Sequence, residues 1–240
     1  MTHLSQYLEK RTEHFPNFDT TRELMLALKN DNGSVIHWWS HERTVLKQIR
    51  GQLELSSDVE DKHILINFID SLLGTQETSG RLVDLGKDIV MPLLFLPGTK
   101  GSSSIKKVLP ALLGLSTDLQ EKYSKPIYGG ADSEITSLNF QSQIWVRKDK
   151  NGKVADPYTL LSKRFNDPDL DTLDEEEEEN SIVADGGAAM VAYGLLQQNI
   201  LSADDRSSLE EQLLRYCELD TLAMVMAWEG LNEIVSRNPV

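Results

Sequence analysis

A chain of 240 residues with 40% apolar and 26% charged side chains has the composition of an ordinary globular protein and enough length to bury one good-sized core. Its net charge of −14 argues against a general phosphate-coating surface, because nonspecific nucleic-acid affinity comes mainly from Lys and Arg neutralising phosphates. A single cysteine, Cys217, excludes an internal disulfide; on a helix expected to be buried, it reads as a small core residue in a reducing compartment.

The longest apolar run, residues 89–96, is interrupted by Pro92 and falls far short of the ~20 residues a membrane helix needs. Residues 1–10 lack the basic-then-apolar pattern of a secretory signal. A cytoplasmic chain with no membrane partner is the expectation, organised as one domain over 1–240. Residues 1–17 read as a loose helix or arm closed by Pro16. From Thr20 the pattern is helical, with Leu24, Met25 and Leu28 on one side and Thr20 or Thr21 as the N-cap. Residues 34–39, β-branched and aromatic between a glycine turn and a polar stop, read as a buried strand.

That strand leads into Glu42, with Ser40 as the candidate N-cap of a helix running to about Leu53. An acid just past the C-terminal end of an inner strand sits where open α/β sheets build their sites; a helix dipole alone also favours a first-turn Glu. A further helix runs from Ser57 or Asp58 through Leu73 on the spacing of Ile64, Leu65, Phe68, Ile69 and Leu72. Residues 81–85 read as another short strand ending in an acid, Asp84, to which a structural role is assigned, with a supporting place beside the site as the alternative.

A Gly/Ser loop over 98–104 delivers a helix at 105–113. Such an N-terminus attracts phosphate, which makes Ser104, Lys106 and Lys107 candidate substrate-binding residues; a plain surface cap with two solvated lysines explains the same pattern. From Tyr123 the character changes. Turn signals surround a strand-like stretch at 144–147, and residues 150–153 look like a hairpin. Together with an acidic loop at 171–180, in which Asp174 through Glu179 are six consecutive acids, this makes an insertion over 123–183, read as a lid or an interaction arm. A small-residue helix then runs from 186–188 to Gln198, and residues 202–208 open the last helix.

On that last helix Tyr216 and Asp220 are four residues apart, about 40° around the axis, so an acid and a phenol share one face. Their apolar flanks, Leu213, Leu214, Cys217, Leu222 and Met226 among them, describe a helix packed on a core with one polar pair aimed at a cleft. A core tyrosine beside a solvated aspartate fits the geometry equally. The Tyr-x-x-x-Asp pattern resembles the third motif of the DEDDy-type 3'-to-5' exonuclease branch of RNase H-like nucleases. Closer still is the resemblance to the bacterial domain of unknown function 2779, carried by Gly101-Ser102-Ser103-Ser104-Ile105-Lys106-Lys107-Val108-Leu109-Pro110-Ala111-Leu112, by Ala188-Ala189-Met190-Val191-Ala192-Tyr193 and by residues 216–224, and extending from about residue 30 onward. The resemblance implies an α/β fold, an RNase H-like three-layer α/β/α domain. It also implies Glu42 and Asp220 as ligands of Mg or Mn, Tyr216 as the group orienting the attacking water, and nucleic acid, DNA or RNA, as partner.

The superfamily takes two more acids from an Asp-x-Glu motif on its first strand. The three such spellings here, at Asp58, Asp132 and Asp174, all follow Glu42 and sit in no strand pattern. The chain therefore resembles the C-terminal part of a nuclease-like domain, incomplete at its N-terminal strands. It is expected to be catalytically incomplete alone, with an upstream segment or partner chain supplying the missing strands, because two-metal hydrolysis needs several converging carboxylates. A non-catalytic interaction module on the same scaffold is the alternative. The five histidines have no paired metal spacing and no Gly-x-Ser-x-Gly elbow is present. The nuclease reading expects the Glu42 and Asp220 carboxylates within about 8 Å of each other. It also expects an open edge on the first strand, with Ile36 and Trp38 partly bare.

Overall fold

A computed structural model describes residues 2–129, 133–161, 186–198 and 200–237. They are mixed α/β and mostly helical. In order they form α1 (Asn17–Leu28), β1 (Val35–His37), α2 (His41–Leu55), α3 (Lys62–Leu73), β2 (Leu82–Asp84), a π-helical turn (Leu85–Val90), α4 (Met91–Leu93), α5 (Ile105–Leu115), α6 (Thr117–Tyr123), a 3-10 turn (Pro157–Leu160), α7 (Gly186–Leu196) and α8 (Ala203–Arg237). The chain forms two compact units, one made of His14–Lys107 and the other of Met1–Glu13 with Val108–Val240. Among the described residues no helix is long and apolar enough to cross a membrane.

In the His14–Lys107 unit, Leu46, Ile49 and Leu53 of α2 face Leu65, Ile69 and Leu72 of α3, forming one apolar cluster. Both triplets repeat at three and four residues, the spacing that keeps side chains on one helix face. β1 and β2 lie parallel, with Val35 opposite Leu82 and His37 opposite Asp84. Parallel neighbours need a crossover rather than a tight turn, and α2 with α3 supplies it. Gly80 closes the turn after α3, where an added Cβ would lie 2.3 Å from the Leu72 carbonyl oxygen.

Two expected boundaries shift. α1 starts at Asn17 with Pro16 at the N-cap, because the Thr20 and Thr21 hydroxyls donate back to the Pro16 and Asn17 carbonyls from within the first turns. α3 starts at Lys62, since the Lys62 ammonium donates to the Ser56 carbonyl at 2.8 Å across the intervening turn. No third strand joins β1 among the described residues. Ile36 is half-buried, but Trp38, expected to be partly bare, is only 8% exposed. Its indole lies against Gly86, where a Cβ would come within 2.8 Å of Nε1, and donates to the Ser103 carbonyl at 2.9 Å.

The other unit is built on α8, whose 35 residues span about 52 Å at 1.5 Å per residue. It packs against α6 and α7, and Leu213, Tyr216, Leu219, Ala223, Met226 and Ala227 are among its buried residues. Cys217, expected in the core, is exposed: one residue past Tyr216, it is turned about 100° off the buried line and lies with Thr221 toward solvent. The strand expected at 144–147 is not formed. Trp145 and Val146 instead turn their amides onto the Tyr123 carbonyl, each at 3.0 Å, and Trp145 is fully buried against Tyr128 and Phe140. The hairpin expected at 150–153 appears as a bridge between Lys148 and Val154 around Gly152 at φ 78°. Residues 3–10 form an arm without helix or strand. The acidic loop at 171–180 lies outside the described residues.

Candidate functional site

Tyr216 and Asp220 do lie on one long helix, but their surroundings differ. Tyr216 is 4% exposed and belongs to the buried line of α8, whereas Asp220 is half-buried. The hydroxyl of a second phenol, Tyr158, donates to Asp220 Oδ1 at 2.5 Å, and its ring lies 6.3 Å from that of Tyr216. Tyr158 is delivered by the 3-10 turn, whose first residue is Pro157 and whose N-cap is Asp156, accepting from the Tyr158 amide at 3.0 Å. Burial first, then the Asp220 carboxylate, pushes the Tyr158 phenol far above its ordinary range, so it stays a donor at every working pH. Tyr158 was not singled out in the sequence, where only the buried 3-10 turn after Asp156-Pro157 signals it.

On another side of α8, about 200° around from Tyr216, sits Glu218, 6% exposed. Its Oε1 accepts from the Tyr128 hydroxyl at 2.5 Å and the Ser137 hydroxyl at 2.5 Å. Oε2 accepts from Asn139 Nδ2 at 2.6 Å, and His3 Nδ1 lies 3.0 Å from Oε1. A buried carboxylate persists only when its lone pairs are satisfied, and here Tyr128, Ser137, Asn139 and the N-terminal arm do so. Glu218 therefore ties the start of the expected insertion and the arm to α8; the same amide of Asn139 also donates to Gln6. The signal that could have marked it is an acid inside a helix apolar on both sides.

In the His14–Lys107 unit, Glu42 occupies the first turn of α2 as expected, with Ser40 at the N-cap but no side-chain cap bond. The Glu42 carboxylate is 3.6 Å from His37 Nδ1 and 45% exposed. His37 Nδ1 lies 2.6 Å from the Trp39 carbonyl; a carbonyl only accepts, so Nδ1 carries the hydrogen. Trp39 itself turns at φ 66°, and its amide donates to Asp84 Oδ1 at 2.9 Å. Asp84 Oδ1 also accepts from the Lys87 amide at 2.9 Å, capping the π-helical turn, which gives it the structural role assigned from sequence. Ser103 offers its carbonyl to both the Trp38 and Trp39 indoles, at 2.9 and 3.2 Å. Directly after it, Ser104, Lys106 and Lys107 fall within one turn at the start of α5. The Ser104 carbonyl accepts from the Lys107 amide at 2.9 Å, and the Lys107 side chain is exposed.

Glu42 thus belongs to one unit and Tyr216 with Asp220 to the other. Among the described residues, neither acid belongs to a group of three His, Cys, Asp or Glu side chains whose ligand atoms converge within 4.8 Å. Each of the two would bring one carboxylate to a two-cation Mg or Mn set, which needs several. Of the three Asp-x-Glu spellings, the one at Asp58 lies in the turn before α3, and Asp132 and Asp174 lie outside the described residues. None of the family models, curated proteins or solved structures compared with the chain matches it.

Proposed function

We propose that this chain is a nuclease-related domain, similar to the bacterial domain of unknown function 2779 and to metal-dependent 3'-to-5' exonucleases, which does not hydrolyse DNA or RNA by itself. The observation that supports the reading is α8, which carries Tyr216 in its buried line and Asp220 half-buried one turn later, with a phenol on the carboxylate. In this reading the fold is RNase H-like, Glu42 and Asp220 are the metal-facing acids, and Ser104, Lys106 and Lys107 meet phosphate. The remaining acids and strands come from an upstream segment or a partner chain, because two-metal hydrolysis needs several converging carboxylates. The test is incubation of the pure chain with Mg or Mn and labelled single-stranded DNA or RNA, alone and with a segment carrying a strand that ends in Asp-x-Glu. No degradation by the chain alone, and degradation with the segment that Asp220→Asn abolishes, are the expected results. Strong cleavage by the chain alone would overturn the inactivity, and no cleavage in either mixture would overturn the nuclease ancestry.

A second reading, a non-catalytic protein-interaction module, is favoured by one observation: Met91, Leu93 and Phe95 are 55%, 74% and 84% exposed within five residues. Contiguous bare apolar side chains of this kind mark surfaces that meet other proteins.

A further inference from the structure

Residues 156–161 are held in shape by their own hydrogen bonds. Asp156 accepts from the Tyr158 amide through its side chain, and its carbonyl accepts from the Thr159 amide at 3.1 Å and the Thr159 hydroxyl at 2.7 Å. The Leu161 amide then returns to the Tyr158 carbonyl at 3.2 Å. The product is a single turn in which Pro157 and Tyr158 are buried, with Tyr158 reaching α8. Tyr158 is 8% exposed and lies beside the ring of Tyr216. Its hydroxyl ends on Asp220 Oδ1, so the carboxylate singled out on α8 is covered by a phenol from a distant part of the chain.

We propose that residues 156–161 form a strap latched to α8 by the Tyr158 hydroxyl, and that the strap closes the Asp220 carboxylate until the latch releases. A one-turn element has no extended ladder to hold it, so its position depends on a few side-chain contacts. A hydrogen bond to a charged acceptor is among the strongest of these. The raised phenol is consistent with the latch, because burial beside the Asp220 carboxylate favours the protonated donor over the phenolate. The gating role rests on the nuclease-related reading of Asp220; the latch does not.

The test uses the full chain as wild type, Tyr158→Phe, Asp220→Ala and the double variant, with two readouts. Amide exchange at Thr159 and Leu161 should quicken about tenfold or more in each single variant and no further in the double, since both remove the same bond. Labelling of Asp220 by a water-soluble carbodiimide with an amine nucleophile, read by mass spectrometry, should also be about tenfold faster in Tyr158→Phe than in wild type. Labelling of Glu229 on the same helix should stay unchanged. Wild-type exchange rates in both single variants, additive effects in the double, or equal labelling of Asp220 with and without the phenol would each overturn the proposal. Tyr158→Phe keeps the ring, and Asp220→Ala approaches the same bond from a half-buried position, so failure of one variant to fold leaves the other to decide. A nuclease assay on the same samples separates the two ideas: no cleavage in the presence of the complementing segment would remove the nuclease reading while the exchange and labelling results still judge the strap.

Discussion

The core between α2 and α3 and the core around α8 solve burial in different ways. The first is a meeting of two aliphatic stripes, Leu46, Ile49 and Leu53 against Leu65, Ile69 and Leu72. The second includes a carboxylate, Glu218, ringed by donors from residues 79 to 90 positions away, next to the edge-to-face rings of Tyr128, Phe140 and Trp145. An aliphatic stripe is tolerant: anything of similar volume fills it, and its stability scales with area. A carboxylate with several directed donors is intolerant, because each donor left without it is a buried polar group without a partner. The α2–α3 pair is therefore expected to hold its fold by bulk, and the α8 region to hold the geometry of its loops by direction.

That contrast can be broken at its aliphatic end first. Leu65 is fully buried, and Leu65→Ala should cost about 3–4 kcal/mol through lost transfer energy and a residual cavity. Chemical denaturation should show the loss, while Leu65→Met should cost less than about 1.5 kcal/mol. Next, Glu218→Ala should cost about 2–3 kcal/mol, since Tyr128, Ser137 and Asn139 lose their acceptor. The sharper distinction is that Glu218→Met, of similar length and apolar, should rescue nothing, whereas Glu218→Gln should recover part of the loss. Recovery by Met would mean that the α8 core is held by bulk after all.

The smallest effect belongs to the rim of the aliphatic core, where Arg22 clasps Asp61 at 2.6 and 2.7 Å. The Arg22 hydrogen bonds are the main cause that holds the Asp61 carboxyl below its usual range. A folded pKa below the unfolded one stabilises the fold above the unfolded value, and this is lost as pH falls through the folded value. Both side chains are about one-third exposed, so solvent screening keeps the gain small. Arg22→Ala should cost about 0.5–1 kcal/mol near pH 7, a difference that should vanish once acid has protonated Asp61, as thermal melts at the two pH values would show.

Much of the helical framework was legible because it rests on spacing. The stripes of α2 and α3, the strands at Val35–His37 and Leu82–Asp84, and the shared helix of Tyr216 and Asp220 all follow from periodicities that a linear reading counts directly. What was not legible depends on distant partners. Glu218 looks like any helix acid until Tyr128, Ser137 and Asn139 close on it, and Tyr158 becomes a partner of Asp220 only once the 3-10 turn is placed against α8. Cys217 lies between the buried Tyr216 and Glu218, and apolar flanks alone do not tell which side of α8 a residue faces. At 144–147 the β-branched and aromatic pattern was real, but Trp145 satisfied its amide on Tyr123 instead of on a neighbouring strand.

The shared acceptor at Ser103 gives the Gly/Ser loop an optical consequence. Indole emission shifts with polarity and with the hydrogen bond on Nε1, and here two adjacent indoles, Trp38 and Trp39, lean on one backbone oxygen. A ligand that displaces the start of α5 withdraws that oxygen from both rings together. The chain's other two tryptophans, Trp145 and Trp228, sit elsewhere and supply a steady background. Intrinsic fluorescence therefore works as a gauge of this loop without any label, and replacing Trp145 and Trp228 by Phe would leave a signal that comes from the Ser103 carbonyl's two indoles alone.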